Sequence, residues 1–171
     1  MNKLKFLILL SLLLAACSTK NISTVPNTSL KLVGDSVIVN VAGQNINAAI
    51  LDKLNREIKA QLLIAGFDLD NKSDKKINLN VQVTAFTPGN AALRLTVGFG
   101  AGRGSLLYDA VYSNEAGQEL AKMEGQERFT GTEVSFNQNY GGFATMGGEE
   151  TATTILIKEA AKHIVELALK Q

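Results

Sequence analysis

Between Ile77 and Ala85 the chain alternates without exception: Ile77, Leu79, Val81, Val83 and Ala85 are apolar, and Asn78, Asn80, Gln82 and Thr84 are polar. Successive side chains of a strand point to opposite faces, so this pattern describes a sheet with one face in a core and one in water. The wet face has the amide character of a glycan-binding surface, but plain solvation is the better reading. The dry face must be covered by something else in the chain.

Two segments have the period to cover it. After Gly43, Ile46, Ile50, Leu54, Ile58 and Leu62 recur every fourth residue, and Ala49, Leu51 and Ala65 widen the stripe, which predicts an amphipathic helix. Asn45 is the expected N-cap, and Gly66 stands where a left-handed residue ends a helix. The second helix is expected from about Glu149 to Lys170. Its apolar face is Ile157, Ala160, Ala161, Ile164 and Ala168, and His163 lies opposite with Glu159, Glu166 and Lys170. Val37–Val41, Ser105–Ser113 and Glu119–Thr130 read as further strands, the last two joined by the turn residues Asn114–Gly117. The expected architecture is therefore α+β: a two-layer sandwich with a four-stranded, mostly antiparallel sheet covered by two helices.

Two glycine-rich stretches depart from this plain pattern. Gly98, Gly100, Gly102 and Gly104 alternate with Phe99, Ala101 and Arg103. In an extended segment all four glycines share one face, a bare strip that another backbone can approach closely. The spacing fits neither phosphate-binding glycine motif. The other stretch, Gly131 to Gly148, is longer than most connections and holds Phe136, Tyr140, Phe143 and Met146. These four are candidate docking residues, since aromatic side chains anchor many binding surfaces; packing on the protein's own core is the alternative.

The N-terminus carries an address. Lys3 and Lys5 precede an apolar run from Phe6 to Leu14, broken only by Ser11 and shorter than the roughly 20 residues of a transmembrane helix. Leu14-Ala15-Ala16-Cys17 resembles the bacterial lipobox. The resemblance implies removal of residues 1–16 and lipid on Cys17, which holds the mature chain on a membrane without spanning it. Ser18, where an aspartate would imply retention at the inner membrane, implies the outer membrane with the domain facing the periplasm. Ser18 to Ser29 is polar, contains Pro26 and shows no hydrophobic period. The expected organisation is a signal peptide (1–16), a lipidated cysteine with a flexible tether (17–29) and a single domain (30–171).

Composition narrows the function classes. The mature chain has 15 basic and 16 acidic residues, a balance that offers no electrostatic footprint for nucleic acid. Cys17 is the only cysteine, so lipidation leaves no thiol for a disulfide. Nucleophile elbows, zinc motifs and His/Cys clusters are absent from the sequence. Asp68-x-Asp70 opens like a calcium loop, but Lys72 and Ser73 fall at the ligand and glycine positions. No catalytic residue, metal or cofactor is expected.

Leu93 to Gly102, then Ser105-Leu106-Leu107 and a hairpin around Gly117, resemble a family of small bacterial lipoproteins known as domain of unknown function 4410. The likeness rests on Arg94, Gly98, Gly100, Ala101, Gly102 and Gly117 and implies no catalytic residues. The element order is also similar to small α+β modules of envelope-assembly lipoproteins, a likeness of fold alone. The expected function is a non-enzymatic binding or assembly module with an envelope protein or cell-wall partner. An oligomeric structural or export component, a carboxylate-based cell-wall enzyme and a small-ligand carrier are the alternatives.

Overall fold

The computed structural model describes residues 22–24, 35–70, 72–96, 101–129 and 148–169. In chain order these form β1 (Ile22–Thr24), β2 (Ser36–Gly43), α1 (Ala48–Ile64), β3 (Lys76–Thr87), α2 (Ala91–Thr96), β4 (Gly104–Asn114), β5 (Glu119–Phe129) and α3 (Glu149–Leu169). The strands lie in the order β1-β5-β4-β3-β2. Only β2 and β3 run parallel, joined through α1, and the remaining pairs are antiparallel. The four longer strands and two long helices make the expected α+β sandwich. β1 adds a short fifth strand inside the segment read as a tether, where Ile22, Ser23 and Thr24 pair with Glu124, Met123 and Lys122 along the outer edge of β5.

On β3 the inward residues Ile77, Leu79, Val81 and Val83 are all buried. The alternation then breaks. Between Val83 and Ala85 the register with β4 shifts, so Ala85 is exposed and Phe86 turns towards the core. The sequence period assigned Ala85 inward; the extra residue of a bulge moves every later side chain to the other face.

α1 buries Leu54, Ile58 and Leu62 completely. Each is worth roughly 2–3 kcal/mol relative to an exposed side chain. Its N-cap is Asn47, whose Oδ1 accepts from the Ala49 amide at 2.8 Å. The expected cap, Asn45, instead has φ 59° and turns the chain out of β2. At the other end Gly66 has φ 89°. There the Phe67 amide donates to the Leu62 carbonyl at 3.0 Å, and Phe67 is buried under the helix end.

α3 packs on α1, β4 and β5. Its buried arc is wider than the sequence stripe, adding Ala152, Thr153, Leu156, Val165 and Leu167 to the five expected residues. Tyr112, fully buried on β4, donates its hydroxyl to the Ile164 carbonyl at 3.1 Å and fixes the helix along the strand. Burial raises the Tyr112 hydroxyl well above the ordinary phenol range, so it remains a donor.

A polar staple closes the far end of the β2–α1–β3 unit. The buried Ser36 hydroxyl donates to Asp68 Oδ2 at 2.5 Å, and the amides of Asp70, Lys72 and Ser73 also donate to that carboxylate. In the segment that opens like a calcium loop, the Asp68 oxygens are taken up by Ser36 and the backbone. Ser36, followed by those amides, holds the Asp68 carboxyl at about 2, below its ordinary 3.8. A depressed carboxyl contributes stability above its unfolded value and loses it as pH falls through the folded value. Urea unfolding between about pH 5 and pH 2 should therefore show stability falling below about pH 4, and Asp68→Asn should flatten that limb; an unchanged acid limb counts against the staple.

Candidate functional site

Residues 87–96 and 101–104 meet in a junction at the end of the sheet where β4 begins and β5 ends. Asn90 caps α2, its Oδ1 accepting from the Leu93 amide at 3.0 Å, and the Asn90 amide donates to the Gly102 carbonyl at 2.9 Å. Arg94, from α2, donates through Nη1 to the same carbonyl at 2.7 Å and to Pro88 O at 3.3 Å. Its guanidinium carbon also sits 5.1 Å from the centroid of the buried Phe129 ring. One cation thereby joins the β3–α2 turn, the start of β4 and the end of β5.

Gly102 makes the junction possible. It has φ 69°, and a Cβ there would run into the Asn90 carbonyl oxygen. Gly104 is buried with Pro88 O and the Leu156 side chain close by, at 2.9 and 3.2 Å from where a Cβ would stand. Because residues 101 and 102 form a turn, the expected extended strip does not run through Gly102. Gly98 and Gly100 lie outside the described residues, as do Cys17, Phe136, Tyr140, Phe143 and Met146.

Next to this junction is a polar cluster inside the core. Tyr108 and Gly125 stand opposite each other on β4 and β5. With no side chain on Gly125, the Tyr108 ring lies across that strand; any Cβ would collide with it. The ring carries its hydroxyl to Glu127 Oε1 at 3.0 Å. His163 Nδ1 of α3 is 2.9 Å from the same oxygen. Glu127 is only 6% exposed, so its carboxylate depends on these partners in place of water.

Burial first, and then the adjacent Glu127 charge, push the Tyr108 hydroxyl well above the phenol range. It therefore serves Glu127 as a donor across the physiological range, and the arrangement joins α3 to the sheet. This corrects the expected placement of His163 on the outer face of α3. Leu156, Ala160, His163 and Leu167 share one row of the helix, and the apolar stripe drawn from sequence left out Leu156 and Leu167. Glu127 itself gave one signal: it occupies the inward phase of β5 with Ala121, Met123, Gly125 and Phe129.

The family described as Domain of unknown function (DUF4410) matches residues 40–131, from the middle of β2 to just past β5. No curated protein matches the chain. Solved structures that share its fold include two PelC dodecamers from Paraburkholderia phytofirmans. One, a point variant, is 11% identical with a TM-score of 0.50 and aligns over 89% of this chain and 98% of its own. The other is 10% identical with a TM-score of 0.54, over 82% of this chain and 93% of its own.

Two sets of variants separate structural roles within this region. Gly102→Ala adds the Asn90 collision to a left-handed backbone and should cost about 2–5 kcal/mol in denaturant unfolding. Gly117→Ala, with φ 77° and open space around it, should lose only the backbone part of about 1–2 kcal/mol. Equal losses would remove the packing argument. Tyr108→Phe leaves a buried carboxylate short of a donor and should destabilise by about 1–3 kcal/mol; a neutral result would show that water replaces the hydroxyl.

Proposed function

The chain belongs to the DUF4410 family, and we propose that it is a lipid-anchored envelope module that works by binding and assembly instead of catalysis. The observation that carries the reading is Leu14-Ala15-Ala16-Cys17, a lipobox-like sequence directly after a basic and apolar leader. Lipid on Cys17, with Ser18 next to it, directs the protein to the outer membrane with its domain in the periplasm. Among the described residues no helix is long and apolar enough to cross a membrane, so the lipid supplies the membrane affinity in this reading.

The polar groups support a structural use of the core. Tyr108 and His163 satisfy Glu127, while the Arg94 guanidinium is engaged by two carbonyls and a ring. Each holds segments together, leaving recognition to the surface. The likeness to chains that crystallised as dodecamers supports a more specific form of the proposal, in which copies of this domain assemble with one another into a structural or export component of the envelope.

Two measurements test these points separately. Metabolic labelling with palmitate should mark the wild-type protein and fail to mark Cys17→Ser, which should accumulate as uncleaved precursor; unchanged labelling removes the anchor. Native mass spectrometry of the detergent-extracted protein should show multiples of the chain, and a monomer at every concentration removes the self-assembly form while leaving the anchored binding module in place.

A further inference from the structure

The position of β1 limits how the domain can sit on a membrane. Read from sequence alone, residues 18–29 allow the body to tumble freely about its anchor. In the structure, Ile22–Thr24 is already part of the sheet. Only four residues separate Cys17 from this strand, and the step from Cys17 to Ile22 spans at most about 18 Å.

Direction then selects one end of the molecule. Ile22 stands opposite Glu124, the middle of the 11-residue β5, which is itself about 36 Å long. β1 runs antiparallel to β5, so the chain enters β1 from the side of Phe129 and Gly104. To bring the opposite end, with the Asn114–Gln118 turn, onto the bilayer, the tether would have to reverse at Ile22 and stretch almost fully.

The favoured end presents an apolar side chain beside cations, as the other end does with Leu63 and Ile64 at the close of α1, so the direction of β1 makes the choice. Leu93 on α2 is 45% exposed, and Arg103, just before β4, and Arg128, on β5, are exposed at the same end of the sheet. An apolar side chain with cations beside it matches the boundary between acyl chains and anionic headgroups. We propose that the end formed by the Pro88–Asn90 turn, α2, Arg103 and Arg128 faces the lipid bilayer, with β1 acting as a strap that fixes this orientation. This rests on the anchoring of Cys17 proposed above.

The full lipidated protein provides its own test, because Cys17 is the only cysteine and acylation blocks its thiol. Arg103→Cys and Ala116→Cys, each labelled with bimane, would be compared in proteoliposomes containing phosphatidylcholine spin-labelled at the headgroup. Quenching should be several-fold stronger at position 103 than at 116. A twelve-residue Gly-Ser insertion between Ser18 and Thr19 should abolish the difference, whereas the same insertion between Asn27 and Thr28 should preserve it. Equal or reversed quenching with Cys17 blocked overturns the orientation alone. Loss of the difference on insertion after β1 overturns the strap. A Cys17 that still reacts with maleimide overturns the anchoring, and the orientation with it.

Discussion

The ring of Tyr108 lying across Gly125 is the contact around which the larger half of the domain is organised. In a chain with a single cysteine, which can form no disulfide within the chain, cohesion between layers has to come from packing and hydrogen bonds. A side chain at position 125 would lift the ring, and with it the hydroxyl that reaches Glu127. Glu127 would then keep its contact with His163 but lose the Tyr108 hydroxyl, at a site where water has little access. The paired absence of one side chain and presence of another thus decides whether α3 meets β4 and β5 through a satisfied carboxylate or a costly one.

Arg94 has a comparable part at the end of the sheet, with a different mechanism. The cluster under α3 is internal and specific to a few atoms, whereas the arginine gathers backbone carbonyls from two segments distant in sequence. Such a cation has to be matched by chain that can come close, and Gly102 provides it. That combination gives a physical reason for Arg94 and Gly102 to occur together in this segment.

Much of this fold could be read from the sequence because its elements repeat at their own periods. Ile77 to Val83 and Leu54 to Leu62 announce a half-buried strand and an amphipathic helix with no tertiary information. What escaped has specific causes. A single extra residue near Thr84 inverts the facing of Ala85 and Phe86, and no pattern marks it. Two asparagines two positions apart both suit a helix start, and only backbone angles separate Asn45 from Asn47. α2 is one and a half turns beside a glycine run, too short to show a period, although Asn90 ahead of Ala91-Ala92-Leu93 was a usable cap signal. The Glu127 and His163 pair joins residues 36 apart through the fold, and the weak alternation of β5 hid its first member.

The parallel pairing of β2 with β3 has a kinetic side. Ser113 and Glu119 are paired six residues apart, whereas Ser36 and Lys76 are paired forty apart. Closing the longer loop costs roughly 1.5–2 kcal/mol more chain entropy before any contact repays it. The β4–β5 hairpin is thus the cheapest part of the sheet to form, and the β2 edge among the dearest. Between these two pairings the asymmetry sets an order of events: the local hairpin first, and afterwards the β2 edge, which must wait for α1 to bring it home.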